Sequence, residues 1–462
     1  MMIVQVKKRI VKMRSEIVKV KAFNIDDNGK GIVRYNNQTI FVDNLLKDEE
    51  GQVKLIYAFD KLKEAKLVKR ETTSKDRVKP KCPYYELCGG CNLMHLNYAK
   101  QLEYKQEKVK NLLHKFANLD YEVSPTLGMN NPYNYRNKIQ VPVGKNKKSE
   151  IVTGFYSENT HQIIPHLDCL VEDKQAEKII DAFKCLMKKY HIEPYDEDKQ
   201  TGLIRHIIIK TSYHFDQVMV VIVTTLDEFK GRKNLAKELV DKCNNITTVV
   251  QNVNPRKTNV ILGEKQRILY GPGKIKDSIF GLEFLISAKS FYQTNPIQLE
   301  VLYKTAIDLA SLQKEDNILD AYSGTGTIGL CASKYVNKVT LVELVHDAYV
   351  DGLKNKEINN IQNAEFINED CTTYLVNNKD SVKFDVVFMD PPRKGSTPEF
   401  LNALIEIKPK KIVYISCNPV TLARDLKFLL NDYEVKKVVP VDMFPHTSHV
   451  EAITLLEIKK SL

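Results

Sequence analysis

Residues 411–422 read KIVYISCNPVTL, an apolar run that stops abruptly at a polar turn. The continuous apolar residues at 412–415 are typical of a buried parallel strand. Asn418-Pro419 marks a turn, because the residue before a proline is displaced from the helical region. Cys417 therefore stands where a strand ends and a loop begins, which is where open α/β sheets bind ligands. A small cysteine of the apolar core is the alternative interpretation of Cys417.

Length and composition narrow the class of protein. A chain of 462 residues is too long for one ordinary core, so roughly two or three domains are expected. No apolar run approaches the about 18 residues of a membrane span, and the first residues, MMIVQVKKRIVKMR, do not resemble a signal peptide. The nine cysteines then indicate metal binding or catalysis more than disulfides. We expect a cytoplasmic protein.

The positive charge is concentrated near the N-terminus. The net charge is +11, yet residues 1–21 carry seven Lys or Arg against one Glu, and residues 61–81 carry nine against three acidic residues. A solvated surface is one interpretation. A basic footprint for a phosphate backbone is the sharper one, because neutralising phosphates is the main source of nucleic-acid affinity.

Short strand-like runs between these basic segments predict a small barrel of the oligonucleotide-binding type. The runs lie at 16–23, 31–35, 38–42, 51–58 and 64–68. Such barrels bind single strands through basic grooves and aromatic platforms. The candidate platforms, each of which could instead belong to the core, are Phe23, Tyr35, Phe41 and Tyr57.

A cysteine cluster follows in KPKCPYYELCGGCNLMHL at 79–96. Cys82, Cys88 and Cys91 have the spacing C-x5-C-x2-C, which indicates a ligand set rather than three core residues. A closed site needs a fourth ligand, for which Cys169 in IIPHLDCL is the best candidate. Zinc and a [4Fe-4S] cluster both accept four thiolates, and the spacing does not separate them.

Residues 98–119 carry apolar side chains at helical spacing and predict one amphipathic helix. A polar cluster with Arg136 and Lys138 then enters a strand at 139–143, and these two cations could reach a phosphate or a base. Beyond it, alternating strand and helix patterns up to residue 270 predict a mixed α/β middle domain without a catalytic motif of its own.

The last third of the chain reads as a cofactor-binding fold. DNILDAYSGTGTIG at 316–329 is a strand, a glycine turn and the start of a helix, which lets backbone approach a ligand closely. Glu343 ends the second strand, where a carboxylate can accept hydrogen bonds from ribose hydroxyls. The fourth strand ends in Asp390-Pro391-Pro392-Arg393. This succession resembles the class I S-adenosylmethionine-dependent methyltransferase fold, with a Rossmann-like seven-stranded sheet.

Three motifs together resemble the RNA (uracil-5-)-methyltransferase family: SCNPVTLARD at 416–425, DPPRKG at 390–395 and FPHTSHVE at 444–451. The resemblance covers nearly the whole chain. It implies that Cys417 is the nucleophile that adds to uracil C6 and that Glu451 is the base that removes the C5 proton. The residues it implies for S-adenosylmethionine are Gln293, Tyr322, Glu343 and Asp390. Those it implies for a [4Fe-4S] cluster, with zinc less favoured, are Cys82, Cys88, Cys91 and Cys169.

The barrel and the cysteine cluster are similar to the bacterial 23S rRNA branch of that family, since the tRNA branch generally lacks both. The resemblance therefore implies 23S rRNA as the partner, with tRNA second, and a monomer. It implies a TRAM-like RNA-binding barrel at 13–71, a cluster segment with a central RNA-binding domain at 72–280, and a catalytic domain at 281–462.

Three other functions remain open at this point. An exocyclic-amine methyltransferase would use Asp390-Pro391-Pro392 without covalent catalysis, although Arg393 stands where such enzymes usually carry an aromatic residue. A radical enzyme would use the cluster to cleave S-adenosylmethionine, although those enzymes generally have C-x3-C-x2-C spacing. An RNA-binding protein could keep the fold without activity.

Overall fold

The computed structural model describes residues 13–460, except 59–60, 158–159, 161, 166–167 and 259. The chain forms two compact units. The first contains the described residues through Tyr85, with Gly90–Gln101 and His446–Ser448, and the second contains Glu86–Gly89, Leu102–Pro445 and the residues from His449 onward. None of the described helices is long and apolar enough to cross a membrane. The three domain ranges expected from the sequence stay a prediction.

The first unit contains a five-stranded antiparallel sheet. Its strands are β1 (Met13–Ile25), β2 (Gly31–Tyr35), β3 (Gln38–Val42), β4 (Glu50–Ala58) and β5 (Lys61–Arg70). They are ordered β3-β2-β1-β4-β5, and the outer strands β3 and β5 approach each other, so the sheet curls. The inward-facing residues alternate with exposed ones, as on β2, where Gly31 and Val33 are buried. The predicted barrel-like domain is confirmed.

Helix α1 (Tyr98–Leu112) follows the cysteine segment and ends earlier than its apolar pattern predicts. Residues Leu113–Ala117 form a π-helical turn, and Asn118 then adopts a left-handed conformation with φ of 53°. Asparagine tolerates this conformation better than most residues, so it ends the helix. The prediction of one helix over 98–119 was wrong in this last turn.

The second unit contains a mixed seven-stranded sheet, which we call the middle sheet. Its strands are β6 (Lys138–Lys145), β7 (Ile151–Tyr156), β8 (Ile163–Pro165), β9 (Ile204–Thr211), β10 (Val218–Thr224), β11 (Ile246–Val253) and β12 (Lys265–Tyr270). They are ordered β12-β11-β10-β9-β6-β7-β8. Among the described strands of this sheet, only β10 and β11 pair in parallel. Every residue of β9 and β10 is buried, which fits the apolar sequence of β10, whereas β9 also buries Arg205, His206 and Lys210. Helices α2 (Gln175–Lys189) and α3 (Arg232–Lys242) pack together beside this sheet.

A hairpin of β13 (Lys274–Ile279) and β14 (Leu282–Ser287) leads to the last sheet, which we call the C-terminal sheet. Its strands are β15 (Asn317–Asp320), β16 (Lys338–Val342), β17 (Ala364–Ile367), β18 (Val386–Met389), β19 (Lys411–Ser416), β20 (Tyr433–Val441) and β21 (Glu451–Ile458). They are ordered β17-β16-β15-β18-β19-β21-β20, with the first five parallel and β21 antiparallel to both neighbours. The predicted α/β fold with a seven-stranded sheet is confirmed.

Helices cover both faces of the C-terminal sheet. They are α4 (Pro296–Ala310), α5 (Thr327–Ala332) with a 3-10 turn at Ser333–Tyr335, α6 (His346–Ile358), α7 (Cys371–Asn378), α8 (Pro398–Ile407) and α9 (Pro419–Leu429). Alternate strand residues enter two separate cores: Ile318 packs in one and Leu319 in the other. Helix α9 begins with proline, and the side chain of Asn418 accepts a hydrogen bond from the Val420 N–H at 3.2 Å.

Candidate active site

The carboxyl ends of four parallel strands place polar side chains along one edge of the C-terminal sheet. Tyr322 follows β15, Glu343 follows β16, Asp390 follows β18 and Cys417 follows β19. Because these strands run in parallel and in register, their ends meet at the same edge. The sequence placed each of these residues at a strand end, and the fold brings those ends together.

A small open cavity lies at this edge. Gln293, Tyr322 and Asp390 line it, together with the glycine turn after β15. Tyr292 also lines it, and the buried Tyr292 hydroxyl has no hydrogen-bond partner among the described residues. A concave site lined by aromatic rings and a few polar groups suits a small polar molecule.

The glycine turn shapes the floor of this cavity. Gly324 and Gly326 have φ of +56° and +82°, which disfavours residues with a side chain. A Cβ on Gly326 would lie 2.5 Å from a ring carbon of Phe366, so only glycine fits there. The Gly324 N–H donates to Glu343 Oε2 at 2.8 Å, and the Val345 N–H donates to Glu343 Oε1 at 2.6 Å. Glu343 is thereby fixed beside the turn, where its remaining lone pairs can accept hydroxyl hydrogen bonds.

Cys417 and Glu451 are neighbours across two paired strands. Ser416 at the end of β19 pairs with Ala452 of β21, so Cys417 and Glu451 each stand one step from this pair at the same edge. Glu451 is buried, and Cys417 is half-buried. The fold therefore joins a thiol and a carboxyl group that lie 34 positions apart in the sequence.

The electrostatics of this edge favour protonated acids. Burial, and then the nearby Asp390, raise the pKa of Glu451 to about 8, while Arg393 opposes the shift. Burial raises the pKa of Asp390 to about 7. Burial, followed by Glu451 and Asp390, raises the pKa of the Cys417 thiol to about 12, and Arg393 again opposes the shift. Strongly shifted acids grouped at a cavity are typical of catalytic sites.

Asp425 holds the loop after β18, and the sequence analysis did not single it out. Its Oδ2 accepts hydrogen bonds from the Ser396 N–H at 2.9 Å and from the Tyr414 hydroxyl at 2.7 Å. The Tyr322 hydroxyl in turn donates to Ser396 Oγ at 3.1 Å. Asp425 thus ties the loop containing Arg393 to a cavity wall. Its place in SCNPVTLARD was the available signal.

The segment that leads to Glu451 is fixed by a buried ion pair. Lys105 Nζ on α1 contacts Asp442, and both side chains are fully buried. Lys105 Nζ also donates to the Phe444 carbonyl at 3.1 Å, and Gln298 Nε2 donates to the Asp442 carbonyl at 3.2 Å. Sequence reasoning missed this pair, because its members lie 337 residues apart.

The four cysteines expected to hold a cluster, Cys82, Cys88, Cys91 and Cys169, are each half-buried. Within the described parts of the chain, no group of three or more His, Cys, Asp or Glu side chains is arranged to hold a metal ion. The [4Fe-4S] cluster and its four ligands stay a prediction.

The aromatic platforms predicted on the barrel divide into two kinds. Phe23 and Phe41 are exposed, and the Arg34 guanidinium lies 5.5 Å from the Phe23 ring centre. Tyr35 and Tyr57 pack against the barrel core. Exposed aromatic rings beside cations are the kind of surface on which bases stack.

In the second unit, Arg136 and Lys138 are half-buried and form no ion pair among the described residues. Burial lowers the pKa of Lys138, and Arg136 lowers it further. Arg136 also acts with Arg393, Lys105 and Lys108 to lower the pKa of His449, after burial as the main cause. Arg136, Arg393 and Lys108 therefore act on His449, two residues from Glu451, whereas Lys105 is buried and paired with Asp442.

Comparison with known proteins identifies the family. Residues 97–459 match the model of the family described as tRNA (Uracil-5-)-methyltransferase. The chain is 41% identical to an uncharacterized RNA methyltransferase of Listeria monocytogenes over 96% of this chain and 98% of that protein. It is also 41% identical to an RNA methyltransferase of Clostridium tetani, over 93% of each chain.

One solved structure is similar over nearly the full length. It is the Pyrococcus abyssi tRNA (uracil-54, C5)-methyltransferase in complex with S-adenosyl-L-homocysteine, with a TM-score of 0.75, 29% identity, and coverage of 95% of this chain and 100% of that one. The prediction of an RNA (uracil-5-)-methyltransferase enzyme is confirmed by these likenesses. The chain belongs to the tRNA (uracil-5-)-methyltransferase family.

Proposed function

We propose that this protein methylates C5 of uracil in RNA, with S-adenosylmethionine as the methyl donor and Cys417 as a covalent catalyst. The observation that carries the proposal is the placement of a strand-end thiol, Cys417, beside the buried carboxyl group of Glu451 at the sheet edge where Asp390 lines a cavity. An amine methyltransferase needs neither group, and Arg393 follows the Asp-Pro-Pro motif in place of an aromatic residue.

The proposed role of the Cys417 thiol is to activate uracil C5. Uracil C5 is a poor nucleophile, but a thiolate that adds to C6 forms an S–C6 bond and moves the C5–C6 π electrons into an enolate. C5 can then attack an electrophilic methyl group. Cys417 must first lose its proton to solvent, and burial, Glu451 and Asp390 disfavour the resulting thiolate. Arg393 favours the same ionisation.

The proposed role of the Glu451 carboxyl group is to remove the C5 proton. After methylation, C5 still carries its proton, and Glu451 accepts it as general base. The electrons of the C5–H bond re-form the C5–C6 double bond, and the S–C6 bond breaks to return the thiolate. One proton, that of C5, is released overall. Burial that raises the pKa of Glu451 to about 8 also strengthens it as a base.

The cavity residues fit the proposed methyl donor. When bound, S-adenosylmethionine supplies a methyl group on a sulfonium centre. Glu343, held by Gly324 and Val345, would accept hydrogen bonds from the ribose, while Gln293, Tyr322 and Asp390 line the cavity. The unpartnered Tyr292 hydroxyl supports a polar occupant. The Pyrococcus abyssi enzyme, whose structure contains S-adenosyl-L-homocysteine, is similar over 95% of this chain.

RNA as the partner is supported by Arg136, Arg393 and Lys108 near His449 and by the exposed rings on the barrel. We propose 23S rRNA as the first substrate to test. A tRNA is the second candidate, and one finding favours it: a tRNA enzyme covers 95% of this chain, so full-length architecture does not separate the two substrates. The four-cysteine cluster is a separate proposal that visible absorption and iron analysis of anaerobically purified protein would test.

Trapping with 5-fluorouridine tests the proposal. Fluorine at C5 cannot leave as a proton, so the adduct with Cys417 should persist and migrate slowly on a denaturing gel. The protein is incubated with S-adenosylmethionine and either 23S rRNA fragments or tRNA transcripts, each containing 5-fluorouridine. A band with wild type that is absent with Cys417→Ala supports the mechanism, and the RNA that gives it identifies the substrate. Methyl transfer to ordinary RNA by Cys417→Ala would refute it.

A further inference from the structure

A buried lysine of the middle sheet contacts the segment that forms one wall of the cavity. Lys210 lies on β9 and is 4% exposed. Its Nζ donates hydrogen bonds to the Ser287 carbonyl at 2.7 Å and to the Ser290 carbonyl at 3.0 Å. These carbonyls stand at the two ends of the bend that follows β14, so one ammonium group closes the bend.

The same bend leads directly into the cavity wall. The Ser287 N–H donates to Ser290 Oγ at 2.8 Å, which closes the bend from its other side. Phe291, Tyr292 and Gln293 follow immediately and line the cavity. The position of the bend therefore sets where these three side chains lie.

The surroundings of Lys210 disfavour a charged ammonium group. Lys210 forms no ion pair among the residues that the structure describes, and its cross-strand neighbour is Lys138. Burial, followed by Lys138, lowers its pKa to about 7, and Asp351, which is already paired with Lys274, opposes the shift. Burying such a group is unfavourable unless its hydrogen bonds are used. Charged or neutral, the amine keeps two N–H donors for the two carbonyls.

We infer that Lys210 is a positioning residue for cofactor binding, which acts by fixing the Ser287–Ser290 bend and, through it, Tyr292 and Gln293. This inference rests on the proposed function, since it assumes that the cavity binds S-adenosylmethionine. It concerns affinity for the cofactor and not the chemical step, because Lys210 reaches only backbone carbonyls.

Binding of S-adenosylhomocysteine to the full-length protein, measured by calorimetry, tests the inference. Lys210→Met should weaken binding about tenfold, which matches the loss of one to two hydrogen bonds from a charged donor. The KM for S-adenosylmethionine should rise by a similar factor, while kcat at saturating cofactor and the Kd for RNA change less than about twofold. The matched control is Lys237→Met on α3, an exposed lysine of the same unit, which should bind as wild type does.

A second variant keeps the test decisive where Lys210→Met does not fold. Ser290→Ala opens the same bend without changing a buried charge and should weaken S-adenosylhomocysteine binding about threefold. Wild-type affinity in Ser290→Ala and in any folded Lys210→Met, or lower stability without weaker binding, would overturn the inference. Absence of binding to the wild-type protein would instead refute the proposed function.

Discussion

The middle sheet and the C-terminal sheet each have seven strands of similar apolar composition, yet only the C-terminal sheet gathers reactive side chains at one edge. In the middle sheet, β9 runs antiparallel to both β6 and β10, so its end lies at the opposite edge from theirs. In the C-terminal sheet, β15 to β19 are parallel and end at a common edge. Strand direction, more than composition, determines which sheet can assemble a site.

The two sheets also treat buried charge differently. Arg205 on β9 donates to the carbonyls of Asn254, Arg256 and Thr258 and pairs with Glu197 at 3.0 Å. Glu451 on β21 is as deeply buried, and burial, followed by Asp390, raises its pKa to about 8. Breaking a buried pair such as Arg205–Glu197 destabilises the fold, whereas a carboxyl group with a raised pKa is unfavourable to ionise and therefore basic once ionised.

Removing the thiol should have the largest effect on activity. Cys417→Ala is expected to lower methyl transfer more than about a thousandfold, because no other group can activate C5 by addition to C6. Transfer of radiolabelled methyl groups to RNA measures this. Cys185→Ala, an exposed cysteine on α2 beside the middle sheet, is the matched control and should retain wild-type activity. Similar losses of methyl transfer in both variants would contradict the conclusion that the C-terminal sheet carries the reactive side chains.

Replacing the base should give a different failure. Glu451→Gln cannot accept the C5 proton, so turnover should fall about 100- to 10,000-fold while the methylated adduct with Cys417 accumulates on ordinary RNA. A denaturing gel would show the adduct without 5-fluorouridine. Glu457→Gln, on the same strand, is the control that should show neither effect. Loss of turnover without an adduct would assign Glu451 an earlier role.

The sequence predicted the parts of the site that are local in the chain. The strands at 31–35 and 38–42 have the predicted bounds, because short alternating runs flanked by turn residues define them. Cys417, Glu343 and Asp390 were placed at strand ends for the same reason. In these segments the motif lies at a strand end, so the same stretch of sequence predicted both the strand and the candidate site residue.

The missed residues depend on partners that are distant in sequence. Lys105 meets Asp442 across 337 residues, and Lys210 meets Ser290 across 80. A lysine in a helix or strand pattern is usually exposed, so neither position signals burial. The raised pKa of Glu451 arises from packing around it and from Asp390, which only the folded sheet brings near. Such effects require tertiary structure.

Changing the local charge should shift the pH dependence by a smaller amount. Glu451 and the Cys417 thiol must both be ionised, so kcat should rise with pH through about 8, where Glu451 ionises, and continue to rise above it. Arg393 lowers the pKa of both Glu451 and Cys417, so Arg393→Gln should raise both values and move the rise to higher pH. At pH 7 we expect a loss of up to about tenfold, equivalent to one pH unit. Measurement of kcat against pH at saturating RNA, with Lys394→Gln as control, tests this.

Replacing Arg205, a buried charge of the middle sheet, should have the smallest effect on activity. Arg205→Met removes the hydrogen bonds to three carbonyls and leaves Glu197 without its partner, which should reduce the free energy of unfolding by about 2–4 kcal/mol. Urea unfolding measures that loss. Below the unfolding transition kcat should stay within about twofold of wild type, because Arg205 reaches no strand end of the C-terminal sheet. A large fall in kcat with little change in stability would mean that the middle sheet contributes to the chemical step, and the distinction between the two sheets would no longer hold.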